Sequence, residues 1–177
     1  TMAAFLCAID RIQRQILADP ALPGVQTLYI SPLKALNNDI ERNLRAPLSG
    51  IRRVASGRGE EWPRVRVAVR TGDTPQSARR SMVTKPPHIL ITTPESLYLI
   101  LSSPRASAML ANVREVIVDE IHTLVGNKRG VHLSLSLERL EHLAGRAPQR
   151  IGLSATQRPL DEVARFLGGQ ELSLIPL

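Results

Sequence analysis

Short, mostly apolar runs recur along the chain, and each is followed by a polar cluster and then a segment of helix length. The runs are residues 27–30 (TLYI), 65–69 (VRVAV), 88–92 (HILIT), 115–118 (EVIV) and 150–153 (RIGL). Near-continuous apolar strands separated by helices predict a parallel sheet covered on both faces, because a sheet with one wet face would alternate polar and apolar residues instead. The intervening segments fit. Phe5, Ile9, Ile12 and Ile16 recur at spacings of four, three and four, an amphipathic helix ended by Pro20, Pro23 and Gly24. Further helices are expected over 33–44, 76–83, 95–101 (with Pro94 in the first turn), 133–143 (with Leu133, Leu137 and Leu140 on one face) and 160–167, stopped by Gly168 and Gly169. Residues 49–64, rich in Gly and Arg, read as containing a surface loop. At 177 residues the chain suits one α/β domain with a sizeable core.

The polar clusters fall at the carboxyl ends of the strands, where open α/β sheets bind ligands. They are Ser31-Pro32, Thr71-Gly72-Asp73, Thr92-Thr93-Pro94, Asp119-Glu120 and Ser154-Ala155-Thr156. Ser, Thr and Asp are also ordinary cap and turn residues, so any one cluster leaves a structural role open. Five on one edge favour a binding surface. Asp119-Glu120 is the most informative pair. A strand-end Asp can hold Mg²⁺, directly or through water, because that hard cation prefers oxygen ligands. A neighbouring Glu can accept the proton of a water attacking a γ-phosphate. His122 lacks the HExxH spacing and the cysteine partners of a metal site, which leaves it a role in hydrogen-bonding adjacent loops.

Charge points to a polyanion. The net charge is +7, and residues 1–88 carry all of the excess, with 14 basic and 7 acidic side chains against 9 and 9 in residues 89–177. A localised basic field steers and holds phosphates. The basic set is almost entirely Arg, with Lys only at 34, 85 and 128, so compositional bias is the competing explanation. Aromatics are 3% of the chain, too few for a base-stacking platform, and Trp62 in the Arg-rich segment is the one candidate to stack on a base. Backbone-directed, sequence-tolerant binding follows. Cys7 is the single cysteine, which excludes an intrachain disulfide and a cysteine zinc cluster. No apolar run approaches the roughly 20 residues that span a bilayer. A cytoplasmic protein with no membrane partner is expected.

Taken together, Asp119-Glu120-Ile121-His122 followed by Ser154-Ala155-Thr156 resembles the Walker B and third motifs of superfamily-two helicases. Residues 31–36 (SPLKAL), 70–73 (RTGD) and 92–97 (TTPESL) resemble the nucleic-acid-contacting motifs of the same superfamily, in the same order. Residues 93–101 (TPESLYLIL) and 126–130 (GNKRG) are similar to the large helicase-related (Lhr) family, and the resemblance runs from Thr1 to about Gly169. It implies a RecA-like fold, ATP with Mg²⁺ as cofactors, and single-stranded DNA or a DNA/RNA hybrid as partner. Asp119 would position Mg²⁺ and Glu120 would activate the hydrolytic water. His122, Ser154 and Thr156 would couple the nucleotide site to the nucleic-acid surface. Ser31, Lys34, Thr71, Gly72, Asp73, Thr93 and Glu95 would line the track of one strand's backbone, where amides at helix starts and the Lys34 charge suit phosphates.

The resemblance also implies parts that this sequence does not hold. No glycine is followed by lysine, so the phosphate-cradling G-x-x-x-x-G-K-[ST] is absent. Thr1 matches the last residue of that loop, whose hydroxyl would bind both the nucleotide and Mg²⁺. The expectation is therefore a first RecA-like domain, residues 1–177, incomplete at its N-terminus, with a second RecA-like domain of the same parent chain as its partner. Such a piece would show little ATP hydrolysis and, with a strand missing beside 150–153, poor solubility. The alternative is a non-catalytic nucleic-acid-binding module, which would have no use for Asp119-Glu120.

Overall fold

The computed structural model describes residues 2–154 and 160–168, and Thr1 and Thr156 lie outside that range. The helices are α1 (Met2–Ala18), α2 (Lys34–Gly57), α3 (Gln76–Thr84), α4 (Pro94–Leu101), α5 (Pro104–Ser107), α6 (Lys128–Ala144) and α7 (Leu160–Gly168). The strands are β1 (Thr27–Ile30), β2 (Val67–Arg70), β3 (Ile89–Thr92), β4 (Glu115–Val118) and β5 (Gln149–Gly152). Short 3₁₀ turns cover Ala108–Leu110 and Ile121–Thr123. All pairings are parallel, and the strand order is β2-β3-β1-β4-β5. This is the α/β architecture expected of a RecA-like domain.

Alternation along the strands sorts the core into two layers. Tyr29, Ile89, Ile91 and Ile117 face α1 and α2, meeting Phe5, Ile9, Ile12 and Ile16 of the first and Ile40 and Leu44 of the second. Leu28, Ile30, Leu90, Val116 and Val118 face the other way, against Met82 of α3, Leu97 and Ile100 of α4, Leu133, Leu137 and Leu140 of α6, and Leu167 of α7. The three central strands, β1, β3 and β4, are buried at every position, whereas β2 and β5 are partly exposed. Those two are the outer strands of the described sheet. No helix among the described residues is long and apolar enough to cross a membrane.

One sequence expectation fails clearly. The helix expected over 33–44 continues as α2 to Gly57, with Pro47 inside it, and the surface loop expected within residues 49–64 occupies only its second half, from residue 58. Leu44, Leu48, Ile51 and Ala55 recur at helical spacing; Leu44 and Ala55 are buried and Leu48 packs on the α1-side core. That apolar stripe outweighs the helix-breaking cost of Pro47, Gly50 and Gly57, which local propensity alone would weigh more heavily. Strand β2 also begins two residues later than the run VRVAV suggests, and α6 begins at Lys128, capped by the Asn127 side chain accepting from the Gly130 amide at 3.0 Å.

Two buried positions tie this frame together. His88, 2% exposed, precedes β3 and accepts the Arg66 amide at Nδ1 over 3.2 Å. Burial, and secondarily the Arg66 charge, lowers its pKa to about 4. Below an unfolded value near 6.5 the unfolded chain takes up a proton that the folded chain refuses, so this stability is present above that pH and lost toward pH 4. The expected loss is about 3 kcal/mol at most, and His88→Asn should flatten that part of a pH–stability curve followed by urea unfolding. Gly130, in the first turn of α6, lies against the turn after β4, where an added Cβ would stand 1.9 Å from the Leu124 carbonyl oxygen. Gly130→Ala should therefore destabilise the chain by about 1–3 kcal/mol, measured as a lower urea midpoint at unchanged slope.

Candidate functional site

Register assembles the site. Ile30 pairs with Thr92 and Val118, Arg70 with Thr92, and Gly152 with Val118, so all five strands end level. Backbone pairing continues one step further: Ser31 N donates to Thr92 O at 3.0 Å, Asp119 N to Ile30 O at 2.8 Å and Leu153 N to Val118 O at 2.8 Å. Ser31, Thr71, Thr93, Asp119 and Ser154 therefore emerge along one edge.

Asp119 is 6% exposed. Its Oδ1 accepts the Glu120 amide at 3.0 Å, and its Oδ2 accepts the Tyr29 hydroxyl from the neighbouring strand. Tyr29 is fully buried and stacks on Phe5 of α1, with ring centroids 4.9 Å apart. Burial, then the bond to Asp119 and the charges of Asp119 and Glu120, pushes the phenol far above its ordinary pKa and keeps it a donor. Each carboxylate oxygen of Asp119 retains a lone pair. Among the described residues no group of three or more His, Cys, Asp or Glu side chains could enclose a metal. A donor set of one buried carboxylate with a second beside it fits Mg²⁺, which keeps most of its waters and needs few protein oxygens when phosphates supply others.

Glu120 has φ 48° and ψ 37°, the one non-glycine residue with positive φ among the described residues. The left-handed conformation costs of the order of 1–3 kcal/mol and is held here by the bonds on either side. It turns the chain so that the Glu120 side chain, 37% exposed, meets His122: Oε2 and Nε2 are 3.3 Å apart. On the other side of the ring, His122 Nδ1 lies 3.2 Å from Ser154 Oγ beyond β5. With its proton on Nε2, the imidazole donates to Glu120 and accepts from Ser154. Ile121 N also donates to Leu153 O at 3.1 Å, so the two loop exits are joined by backbone as well as side chain.

The remaining residues occupy the same edge in different ways. Ser31 is fully buried, and its Oγ accepts the Leu33 amide at 3.3 Å, so it shapes the turn and offers no hydroxyl to the surface. Thr93 is 3% exposed and caps α4, accepting the Ser96 amide at 3.3 Å. Glu95 is half-exposed and receives Arg129 Nε at 2.7 Å. Partial burial opposes its charge, but the Arg129 bond and charge, with backbone and Thr93 hydrogen bonds, hold the carboxyl below its ordinary range. Thr71 is nearly buried, with Oγ1 accepting the Asp73 amide at 3.3 Å, while Gly72 and Asp73 are exposed. Lys34 opens α2 at the same edge, and its side chain lies outside the description, as do Thr1 and Thr156.

Three residues that sequence reasoning passed over hold this edge in place. Tyr29 positions Asp119; its one signal was a phenol inside an apolar run, which must find an acceptor when buried. Arg129 spans three segments, donating to Glu95 and, at 3.1 Å, to the Pro32 carbonyl. Arg79 of α3 donates to the carbonyls of Gly72 at 2.7 Å and Thr74 at 2.8 Å, bracing the loop after β2. Neither arginine can be found without the topology.

Comparison with known proteins agrees with this geometry. The model of the DEAD/DEAH box helicase family matches residues 1–164. The Lhr helicase/probable uracil glycosylase of Mycolicibacterium smegmatis is 59% identical over 173 residues, covering 96% of this chain and 11% of that protein. The ATP-dependent helicase Lhr-Core of Methanothermobacter thermautotrophicus is 57% identical over 169 residues, covering 96% of this chain and 19% of its own length. The chain thus spans between a tenth and a fifth of these relatives. The structure of Mycobacterium smegmatis helicase Lhr bound to ssDNA and AMP-PNP superposes with a TM-score of 0.88 at 58% identity, over 96% of this chain and 21% of that one. The DEAD-box helicase Mss116 bound to ssRNA and UDP-BeF shares the fold, with a TM-score of 0.73 at 17% identity over 95% of this chain and 32% of that one. With the family model matched from the first residue to α7, and with the strand-end residues gathered on one edge, the chain belongs to the DEAD/DEAH box helicase family.

Proposed function

We propose that this chain is part of the first RecA-like domain of an Lhr-type ATP-dependent helicase, which couples ATP hydrolysis to movement along a single DNA strand, free or within a DNA/RNA hybrid. The observation that carries this reading is the connected path from the buried Asp119 through Glu120 and His122 to Ser154, on the edge shared with Thr71–Asp73, Thr93 and Glu95. Asp119, with Thr1, would hold Mg²⁺, which when bound neutralises charge developing on the phosphates. Tyr29 fixes the Asp119 carboxylate by donating to Oδ2. Glu120 accepts one proton from water as the water oxygen bonds to the γ-phosphorus and the bond to the ADP oxygen breaks. His122 senses the Glu120 carboxylate at Nε2 and passes its position to Ser154 at Nδ1. Gly72, Asp73 and Glu95, exposed at the strand ends, and Lys34 at the start of α2 would contact one strand's backbone. The second RecA-like domain of the parent chain would close over this edge. The 177-residue chain holds no G-x-x-x-x-G-K-[ST], so by itself it should turn over little ATP.

In the full-length helicase, Glu120→Gln keeps the size of the side chain and removes the base. Steady-state ATPase should fall at least about 100-fold while ATP binding is retained. Turnover near the wild-type rate in that variant would overturn the assignment of Glu120 as the base. Tyr29→Phe preserves the stack on Phe5 and strips one donor from Asp119. The Mg²⁺ concentration for half-maximal ATPase should rise about tenfold, with a smaller change in the maximal rate. An unaltered Mg²⁺ titration would mean that the hydroxyl serves packing alone.

A further inference from the structure

A large cavity lies away from Asp119, over the outer edge of β2. Its volume is about 1120 Å³, and six cationic side chains line it: Arg45, Arg52, Arg53, Arg64, Arg66 and Lys85. Among the described residues no acidic side chain does so. One wall is a face of α2, where Arg45, Ser49, Arg52, Arg53 and Ser56 follow at helical spacing. The other is α3, with Ala78, Ser81 and Met82, and Lys85 directly after its end. Because α2 packs on one face of the sheet and α3 on the other, the groove crosses the unpaired side of β2.

The cations are only partly satisfied from within. Arg45 pairs with Glu41 at 2.5 Å, and Arg66 donates to the Pro86 carbonyl at 3.1 Å. Arg52, Arg53, Arg64 and Lys85 have no ion-pair partner among the described residues, and all four are exposed. Glu60 and Glu61, in the loop that follows α2, are exposed and stay outside the lining. Trp62 also lines the groove, partly exposed, with its indole N–H lacking an acceptor. Free cations beside an aromatic face form the combination that holds single strands, with phosphates on the cations and a base on the ring. The groove is also larger than one phosphate needs, and β2 runs directly from it to Thr71–Asp73, about 13 Å along the strand.

We infer that the α2–β2–α3 groove is a second nucleic-acid site, taking the phosphate backbone of a single-stranded stretch beyond the strand-end track, with one base on Trp62. The inference rests on the helicase reading for the track but concerns residues outside it. The test uses the full-length helicase with Arg52→Ala, Arg53→Ala and Lys85→Ala combined, and two oligonucleotides: the shortest that saturates the ATPase, and a longer one that extends past it. Fluorescence anisotropy at several salt concentrations should show the log–log slope for the longer strand fall by about two units in the variant. Binding of the short strand and the ATPase it stimulates should stay unchanged. Trp62→Leu should weaken only the longer strand, about tenfold, and Trp62→Phe should restore it. An unchanged slope for the longer strand overturns the inference. Equal losses on both strands also overturn it, because the groove would then belong to the track. A polyglutamate peptide that binds the wild type and not the variant, while both bind DNA alike, would reassign the groove to an acidic protein partner. A wild type whose ATPase ignores DNA would count against the helicase reading alone, since the anisotropy comparison still decides the groove.

Discussion

The shared register of the parallel ladder is the constraint on which the other features depend, because it ends all five strands level and then carries pairing one residue into the loops. Ser31, Asp119 and Leu153 each donate a backbone N–H to the last residue of an adjacent strand. A slip of one residue in any strand would turn its side chains to the opposite face. For β4 that would remove Asp119 from Tyr29 and put Ile117 on the wrong core. The apolar contacts that hold the register, Ile117 on the α1 side and Val116 and Val118 on the α6 side, therefore also set the geometry of the carboxylates.

Strain is concentrated where that geometry is used. Glu120 occupies the left-handed region without being glycine. Its conformation survives because Asp119 Oδ1 takes its amide, Thr123 N bonds its carbonyl at 2.9 Å, and the Thr123 hydroxyl bonds the same carbonyl at 2.8 Å. The turn that results is short, and Gly130 lets α6 pack onto its far end with no Cβ in the way. A side chain held this way has little freedom to drift from His122. The same turn is thereby sensitive to movement at Ser154, since the imidazole touches both. A histidine in contact with a carboxylate on one side and with a loop of the next strand on the other joins the two loops through one side chain.

Much of the fold was legible in sequence because the central strands are buried on both faces. β1 and β4 have the bounds that their apolar runs imply, and the helix of Phe5, Ile9, Ile12 and Ile16 packs by that stripe. Legibility failed where tertiary burial overrode local preference. The second half of α2 contains Pro47, Gly50 and Gly57, and only the packing of Leu48 and Ala55 explains its persistence. In the site, the gathering of polar residues on one edge was legible from their spacing, because each cluster directly follows a strand of the same parallel sheet. Ser31 and Thr93 proved to spend their hydroxyls on a turn and a cap. Tyr29, Arg79 and Arg129 act across segments far apart in sequence, and strand order alone makes them neighbours.

The charge asymmetry acquires a spatial meaning from the same strand order. The acidic pair follows β4, whereas the unpaired cations flank β2, and β3 and β1 lie between. Three strand spacings of about 4.8 Å put the two fields roughly 14 Å apart, beyond the ~8 Å screening length at physiological ionic strength. The cations of the β2 edge therefore do little to neutralise Asp119 and Glu120. Had the arginines of α2 stood in its first turn, at the carboxyl edge of the sheet, they would have been close enough to pair with the carboxylates. Instead the excess of positive charge in residues 1–88 is carried along the body of α2 and onto the outer strand, where a polyanion can bind without reaching the carboxylates.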